Sequence, residues 1–558
     1  MVNPQSTRTK QSSQSWPKWL VLVVALSLVA AWFGGIDYRK LANPDEGRYA
    51  EVPREMAETG DWLTPRLNSI KYFEKPPLQY WATAAFYRAF GFNEWTARLW
   101  VALTGFAGIL LTWYLGRRLF GREAGGAAAL VLLSSAYYVI FSNVLTLDMG
   151  FSFFLNLALA AYLLSRHTRP DGRISAAWVI TAWVAMALAV LSKGFAGFVL
   201  PALALVTYTL MQRDWSGWRN LHMLPGALLA AIIVAPWFIR VSLVNPEFFQ
   251  FFFVHEHLQR FASTGHHRPG PWWYFIPILL AAMLPWLGVL VPGLAQAWRH
   301  RTAQSEFNAP RFLIAWVASQ FLFFSVSGSK LPAYILPIMP ALALITGWHL
   351  AKLDGLQVAQ RVVPFAVLAG ILCFAGTETM EFMHKKDIGF SYYEDYSVWL
   401  ETASVLIAGG GLLLWWKRGS RRTAVITFSI ACFVAAELIV AGFEQLSPLN
   451  SSYSLAQTIK PYLTPDTPVF MVQTYSQGLP PYLQRPVTLV DYQDEFYFGL
   501  QQEPARSIAT VEEFAAIWRN APQGVAVMPA KTFQQLEASG LPMRVIEIRG
   551  ELRVVVRP

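Results

Sequence analysis

The sequence predicts a polytopic α-helical membrane protein with about thirteen transmembrane helices and a small α/β domain at its C-terminal end. Of its 558 residues, 54% are hydrophobic and only 14% are charged, whereas about a quarter of the residues in a typical soluble domain carry charge. The mean hydropathy is +0.34. Apolar runs long enough to cross a bilayer recur up to residue 443, and beyond it the composition becomes that of a soluble domain.

The first span is predicted at about residues 19–36, after a polar and basic N-terminal segment. This apolar run is too long for the central region of a signal peptide and no clear small-residue cleavage site follows it, which indicates a retained helix whose N-terminus is cytoplasmic. The remaining spans are predicted at residues 96–116, 124–142, 147–165, 175–192, 195–211, 222–239, 273–296, 312–327, 334–350, 361–379, 397–416 and 423–443.

Short basic segments set the predicted orientation. They occupy residues 116–122, 165–173, 298–301 and 416–422, at alternate ends of the spans and on the same side as the N-terminus. The positive-inside rule makes these ends cytoplasmic, and it also accounts for the net charge of +10, so no nucleic-acid partner is expected. The loops with reactive polar side chains then lie together on the outer side, at residues 37–95, 142–148, 191–194, 241–272 and 327–334.

The first outer loop carries an unusually dense set of charges. Its central segment, residues 43–81, alternates acids, bases and aromatic residues, and charge held against a membrane is usually functional. Pro44 followed by acidic residues predicts an amphipathic helix at residues 45–58. Four of its residues are expected to lie on the membrane surface, namely Tyr49, Val52, Pro53 and Met56. The alternative is a solvated loop that only joins two spans.

Three acids on the outer side are candidate catalytic residues. Asp45 and Glu46 are adjacent just after the first span, and Asp148 begins the fourth span. Carboxylates that converge at a membrane surface can act as a base, a metal ligand or the counter-ion of an amine. The alternatives are a helix N-terminal cap for Asp148 and a solvated capping acid for Glu46.

Four cations on the same side form a second set, Lys75, Lys193, Arg260 and Lys330. Lys193 and Lys330 are single cations at helix ends, and such positions suit a phosphate group. Each of these two lysines taken alone could instead be a snorkelling side chain that anchors a helix end. Their coincidence on one face favours anion binding by the set.

A histidine pair in the loop at residues 241–272 is a candidate metal site. His255 and His257, together with Glu74, would complete a His₂Glu set for one divalent ion, and the ligand types favour zinc. A structural histidine pair is the alternative, because two residues apart on a helix the rings point in nearly opposite directions. The two cysteines lie in apolar stretches, so neither a disulfide framework nor a CxxC metal site is indicated.

The chain changes character at residue 444. Short β-type runs alternate with helical segments over residues 444–558, which is the pattern of a small α/β domain following a transmembrane domain at residues 1–443. An odd number of spans places this domain outside. It has no Gly-rich phosphate loop after a strand and no obvious catalytic pair, so we expect it to shape or cover the site.

Three motifs resemble the bacterial lipid A aminoarabinose transferases, the 4-amino-4-deoxy-L-arabinose transferases of glycosyltransferase family 83, which are related to the protein O-mannosyltransferases. They are the segment ANPDEGRYAEVPREMAETGDWLTPRLNSIKYFEKPPLQYW at residues 42–81, HEHLQRF at 255–261 and SKLPAYILPIMPALAL at 329–344. The resemblance implies a C-type glycosyltransferase fold and an undecaprenyl phosphate-aminoarabinose donor. It also implies transfer of the aminosugar to a phosphate of lipid A at the periplasmic face of the inner membrane, and thereby polymyxin resistance.

The resemblance also implies roles for individual residues. Asp45-Glu46 and Asp148 match the acidic positions of the superfamily, and Lys75 and Arg260 match its cations for the lipid phosphate. The other donor-phosphate and lipid contacts expected are Arg48, Tyr72, Lys193, Lys330 and Tyr334.

A lipid-phosphate donor requires no nucleotide, in agreement with a sequence that has no phosphate loop or Rossmann fingerprint. We expect a monomer that meets its donor and lipid A in the bilayer. One alternative is an enzyme like the protein O-mannosyltransferases, in which Asp45 would have to act as a base toward a hydroxyl group. A flippase for lipid-linked sugars is the second alternative, and it would distribute charges through the membrane and contain internal repeats.

Overall fold

The computed structural model describes the backbone of residues 18–167, 175–213, 215–219, 221–259, 269–302, 307–385 and 389–558. Long apolar helices make up the part up to residue 442, and a mixed sheet with short helices follows. Ten of the described helices are long and apolar enough to cross a membrane, and there are eleven if a bent pair is counted as one. The shorter apolar helices Leu22–Gly34 and Ala196–Gln212 occupy two further predicted positions. Every predicted span therefore coincides with a helix.

The helices and strands of the first half are α1 (Lys18–Gly34), α2 (Asp45–Thr59), β1 (Arg66–Leu67), β2 (Ile70–Lys71), α3 (Leu78–Phe90), α4 (Glu94–Phe120), α5 (Arg122–Leu133), α6 (Ala136–Asn143), α7 (Asp148–His167), α8 (Ala176–Lys193), α9 (Ala196–Gln212), α10 (Ser216–Arg219) and α11 (Met223–Val244). A π-helical segment at Gln250–Gln259 and the helices Phe275–Met283, Leu287–Arg299, Ala309–Val326, Met339–Leu350, Gly355–His384, Phe390–Trp416 and Arg421–Gly442 complete this part.

The span predicted at residues 124–142 is two helices, α5 and α6, bent by 63°. Ser135 starts α6 by accepting a hydrogen bond from the backbone N–H of Tyr138. Ser134 accepts another from the indole N–H of Trp286 at 2.9 Å. A polar side chain that satisfies a freed backbone N–H, as Ser135 does, is what allows such a break within an apolar run.

Small residues set the closest helix contacts of the membrane part. A Cβ added to Gly116 of α4 would lie 2.8 Å from the Cα of Gly125 in α5. Without a side chain at either position the two backbones can touch, which is how helices gain packing energy where burial from water contributes little.

The predicted loop helix exists as α2, but it does not lie on a membrane surface. Tyr49, Val52, Pro53 and Met56 are all buried inside the protein. Helix α3 packs against one side of α2, and the C-terminal part of the chain covers another side. The prediction of a surface-lying amphipathic helix was therefore wrong, because the apolar face is buried by other segments of the chain rather than by lipid.

The C-terminal unit, residues 453–558, contains a six-stranded sheet with the order β5-β4-β3-β6-β8-β7. Its strands are β3 (Val469–Val472), β4 (Thr488–Val490), β5 (Ser507–Ile508), β6 (Val525–Pro529), β7 (Arg544–Arg549) and β8 (Leu552–Val556), and its α-helices are Tyr453–Ile459, Leu479–Leu483, Tyr497–Gln502, Val511–Asn520 and Ala530–Ala538. The first four strands are parallel, whereas β8 is antiparallel to β6 and β7. Phe470, Phe514 and Trp518 pack in its core.

The C-terminal unit faces α2 with the carboxyl edge of its parallel strands. The chain runs from β3 to β4 and β5 on one side and then to β6 on the other, so β3 ends at a topological switch point, where α/β sheets commonly bind ligands. The segment after β3 reaches Asn43, whose side chain accepts a hydrogen bond from Gly478 N at 2.8 Å. A Cβ on Gly47 would lie 2.5 Å from that same nitrogen. Contact between these two segments is therefore at backbone level.

Candidate functional site

The adjacent acids Asp45 and Glu46 occupy different environments. The side chain of Asp45 is 42% exposed, whereas Glu46 is only 1% exposed. Both residues lie in the first turn of α2, where successive side chains point about 100° apart. The side chain of Asp45 is therefore partly exposed, whereas that of Glu46 points into the protein interior.

Glu46 is held by six donors. Its carboxylate receives hydrogen bonds from Arg39 at 2.6 and 2.7 Å and from Arg98 at 2.9 and 3.0 Å. The backbone N–H groups of Ala42 and Leu145 donate two more, at 2.8 and 2.9 Å. Burial by itself raises the pKa of Glu46, but the two guanidinium groups outweigh it and hold that pKa well below its usual range.

Glu46 thus joins the loop to α4, through Arg98, and to the segment before α7, through Leu145. The solvated capping acid considered as the alternative for this position is wrong, because the carboxylate is buried. Since all its acceptor positions are used inside the protein, the geometry favours a structural role over the catalytic role expected from the sequence.

Asp45 takes part in a short chain of charges that includes the C-terminal unit. Arg48, one turn further along α2, donates to Asp45 at 3.1 Å. Its other terminal nitrogen lies 2.7 Å from the carboxylate of Glu495, in the segment after β4. The C-terminal unit therefore reaches the candidate site with a charged side chain.

Five residues beside Asp45 form what we call the tyrosine chamber: Arg48, Tyr49, Tyr72, Glu74 and Tyr80. The rings of Tyr49 and Tyr80 stack with centroids 6.3 Å apart. The pKa of each of the three phenols is raised mainly by burial and is also influenced by the charges of Arg48 and Glu74.

Tyr49 of the tyrosine chamber lies within electrostatic range of two of the three acids predicted to be catalytic. Burial is the main cause of the raised pKa of the Tyr49 phenol, and the negative charges of Asp45 and Asp148 raise that pKa further. Residues that are about 100 positions apart in the sequence therefore act on one hydroxyl group.

Asp148, Lys193 and Tyr334 form a second group. The Lys193 ammonium pairs with the Asp148 carboxylate and lies 4.9 Å from the centroid of the Tyr334 ring. Asp148 begins α7 and Lys193 ends α8, so each charge lies at the helix end whose dipole stabilises it. The structure thus brings together three residues that the sequence placed in separate motifs.

The remaining predicted cations have different surroundings. Lys75 donates to the backbone carbonyl of Glu74 at 2.9 Å and lies 3.9 Å from the Glu74 carboxylate. Lys330 is buried and donates to the carbonyls of Ser325 and Ser327 at 2.8 and 2.6 Å. These carbonyls end the helix Ala309–Val326, so the geometry at Lys330 favours a helix-capping role over a phosphate contact.

Part of the predicted donor and metal set lies outside the described residues. Arg260 is one such residue, and the side chains of His255 and His257 are others. Within the part of the chain that the structure describes, no group of three or more His, Cys, Asp or Glu residues could hold a metal ion. The metal site at Glu74, His255 and His257 stays a prediction.

An apolar cavity of about 610 Å³ lies between α7, α8, α9 and α11. Its walls are almost entirely aliphatic and aromatic, and Phe252 and Phe253 of the π-helical segment also line it. Gly194 and Phe195 belong to its lining and directly follow Lys193 in sequence. A hydrocarbon chain in this cavity would therefore run close to the Asp148–Lys193 pair.

Several residues of the site were not predicted from the sequence, among them Arg98, Tyr80 and Glu495. A charge within an otherwise apolar span is a signal of function or of a buried partner, and Arg98 gave that signal near the start of α4. Tyr80 follows the Pro76-Pro77 stop and resembles any aromatic residue of a membrane interface. Glu495 lies in a domain without a catalytic motif, and no local pattern distinguishes it.

The described fold, with its membrane helices, its charged outer loop helix and its C-terminal sheet, is that of the C-type glycosyltransferases. The family described as dolichyl-phosphate-mannose-protein mannosyltransferase matches residues 18–252. The aminoarabinose transferase C-terminal domain matches residues 455–558.

Among solved structures, the chain is similar to ArnT from Cupriavidus metallidurans bound to undecaprenyl phosphate, with a TM-score of 0.88 and 36% identity over 96% of this chain and 98% of that one. The apo structure of the same Cupriavidus metallidurans protein gives a TM-score of 0.87 and 36% identity over 96% of this chain and 97% of that one.

Curated relatives carry the name undecaprenyl phosphate-alpha-4-amino-4-deoxy-L-arabinose arabinosyl transferase. The Aeromonas salmonicida protein is 33% identical over 383 residues, which cover 68% of each chain. The Pseudomonas fluorescens (strain Pf0-1) transferase 2 is 36% identical over 319 residues, 57% of this chain and 56% of that one. The match to the Pseudomonas fluorescens protein thus spans little more than half of that relative's length. The chain belongs to this aminoarabinose transferase family.

Proposed function

We propose that the protein is a glycosyltransferase that moves 4-amino-4-deoxy-L-arabinose from undecaprenyl phosphate-aminoarabinose to a phosphate group of lipid A. One observation carries the proposal: an apolar cavity of about 610 Å³ is lined in part by Gly194 and Phe195, which directly follow Lys193, the partner of Asp148. The apolar cavity would bind the polyprenyl chain, and the charged and polar side chains nearby would bind the head group. Family membership supports the same donor and sugar.

The cations of the site would stabilise the leaving group. A polyprenyl phosphate leaves with added negative charge, so the main catalytic requirement is positive charge positioned at its oxygens. We assign this role to Lys75 and Arg260, with Lys193 nearby. Lys193 is already paired with Asp148, so its net contribution to anion binding depends on that acid.

Asp45 would act without being a general base. The acceptor phosphate is ionised at neutral pH, so it needs no group to remove a proton before it attacks the anomeric carbon. Asp45 is accessible and held by Arg48 at 3.1 Å, which suits a carboxylate that orients the sugar or pairs with its ammonium group. Its negative charge would also stabilise positive charge that develops at the anomeric carbon.

We propose the topology predicted from the loop charges. The N-terminus would be cytoplasmic, and the tyrosine chamber and the C-terminal unit would face the periplasm from the bacterial inner membrane. Residues 1–443 would form the transmembrane glycosyltransferase domain and residues 444–558 the periplasmic domain. Addition of a basic sugar there would lower the negative charge of lipid A, and so weaken its attraction for cationic peptides such as polymyxin.

We further propose that Glu74, His255 and His257 hold one zinc ion with a site-shaping role. Two imidazoles and a carboxylate are a common zinc ligand set. Displacement of one phosphate by another includes no hydrolytic step for a metal-bound water to serve. Purified protein should contain about one equivalent of zinc, and His257→Ala should lose it. Metal-free wild-type protein with full activity would eliminate this site.

Transfer in reconstituted vesicles tests the proposed function. Vesicles that contain the protein, lipid A and undecaprenyl phosphate-aminoarabinose should yield aminosugar-modified lipid A, detected by mass spectrometry, and vesicles without the donor should not. Asp45→Asn should abolish the product, whereas Asp395→Asn at an exposed position should not. Glycosylated peptide in place of lipid A would indicate a protein O-glycosyltransferase. Movement of the donor across the bilayer without transfer would indicate a flippase.

A further inference from the structure

Several buried polar atoms around the tyrosine chamber have no hydrogen-bond partner among the described residues. They are the hydroxyls of Tyr72 and Tyr80 and the Nε of Arg48. Tyr80 is fully buried, and Tyr72 is 3% exposed.

These atoms cannot all remain without partners. An unsatisfied buried polar group costs about 1–3 kcal/mol, so native proteins almost always supply a partner, ordered water or a ligand. The side chains of Tyr72, Tyr80 and Arg48 interact electrostatically, so they lie close together. The tyrosine chamber consequently needs water or a ligand to complete the hydrogen bonds of these atoms.

The chemistry of the tyrosine chamber matches a sugar better than a phosphate. The two terminal nitrogens of Arg48 are engaged by Asp45 and Glu495, which leaves little positive charge for an anion. Burial raises the pKa of the Tyr72 and Tyr80 phenols well above its usual value, so both remain neutral hydroxyls. Neutral O–H groups that can donate and accept are suited to the hydroxyl groups of a sugar.

We propose that the tyrosine chamber holds the transferred sugar and that Tyr80, together with Tyr72, hydrogen bonds its hydroxyl groups. This inference rests on the proposed function, because it assumes that the donor carries a sugar into the site. It assigns Tyr72 to the sugar rather than to the carrier phosphate expected from the sequence.

Tyr80→Phe isolates the hydroxyl group. Phenylalanine keeps the ring and its stacking on Tyr49 and removes an oxygen that has no hydrogen-bond partner among the described residues. The variant should therefore unfold at the wild-type temperature or above. It should bind undecaprenyl phosphate as the wild type does but bind undecaprenyl phosphate-aminoarabinose about 3- to 10-fold more weakly, the equivalent of one neutral hydrogen bond.

Tyr138→Phe is the matched control. Tyr138 is also a buried tyrosine, but its hydroxyl donates to the Gly105 carbonyl at 2.9 Å. Loss of that oxygen leaves the carbonyl without its partner, so this variant should unfold at a lower temperature and yet bind both ligands like the wild type. The two substitutions remove the same atom, and their effects on stability and on sugar binding should be opposite.

The measurements are thermal unfolding in detergent and the affinities for the bare carrier and for the sugar-loaded donor. Wild-type affinity of Tyr80→Phe for the loaded donor would overturn the inference, and so would an equal loss of affinity for both ligands. The inference would also fail if the wild-type protein bound undecaprenyl phosphate and undecaprenyl phosphate-aminoarabinose with equal affinity. A wild-type protein that prefers the loaded donor but transfers nothing would refute the proposed function and leave the sugar site standing.

Discussion

Replacement of Glu46 by glutamine should destabilise the protein far more than the same change at the adjacent acid. The Glu46→Gln side chain has nearly the same volume but no charge, and it presents an NH₂ group to donors. Six hydrogen bonds end on the Glu46 carboxylate, four of them from the guanidinium groups of Arg39 and Arg98. Both arginines are buried, at 5% and 0% exposure.

The magnitude follows from the two arginines that remain. Removal of one partner from a buried ion pair costs about 3–5 kcal/mol, because the other charge is left buried and uncompensated. Here one carboxylate serves two guanidinium groups, so we expect the upper half of that range. Asp45→Asn changes a side chain that is 42% exposed, and its partner Arg48 keeps the ion pair with Glu495. We therefore expect a loss of no more than about 1 kcal/mol in the free energy of unfolding, the contribution of an exposed ion pair.

Thermal unfolding of both variants in detergent, together with transfer kinetics, checks this difference. Glu46→Gln should show a strongly lowered unfolding temperature or poor recovery from the membrane. Asp45→Asn should unfold like the wild type and have lost transfer. If Glu46→Gln kept wild-type stability and lost activity, Glu46 would belong to the catalytic residues after all and the structural argument would be refuted.

Three further outcomes are expected. Lys75→Ala should cost on the order of 2–4 kcal/mol of transition-state stabilisation, roughly a 30- to 1,000-fold lower rate; unchanged kinetics and carrier affinity would place the phosphate elsewhere. Asp148→Asn should slow transfer because it removes the negative charge that pairs with Lys193, and a normal rate would reduce Asp148 to a helix cap. Burial and the nearby Glu51 raise the pKa of Glu55 from 4.5 to about 8. The folded protein thus holds this proton more tightly than the unfolded chain, so stability should fall as the pH rises from 4.5 to about 8. Glu55→Gln should remove that fall, as unfolding measured across this pH range would show, and an unchanged slope would assign it to other groups.

Much of the architecture could be predicted from local patterns. Spans were predictable because each helix in a membrane must satisfy its own backbone hydrogen bonds, so that length and hydropathy suffice. The helix α2 was predictable from Pro44 and the acids that follow it. The bend between α5 and α6 was not, because its serines pair with distant groups, Ser134 with the Trp286 indole and Ser135 with the Ala282 carbonyl.

The sequence by itself determined which residue types are concentrated near the outer ends of the helices, and its motifs indicated the family. It also singled out Asp45, Asp148 and Lys193 as the charges of interest.

Only the tertiary structure decided what each charge does. The sequence does not distinguish the role of Asp45 from that of the adjacent acid Glu46. It also does not distinguish Lys193 from Lys330, since both are single lysines at helix ends. Their partners come from distant segments, such as Arg98 for Glu46 and Asp148 for Lys193. The role of a buried charge is set by the groups that compensate it, and pairings between distant segments have no local signature in the chain.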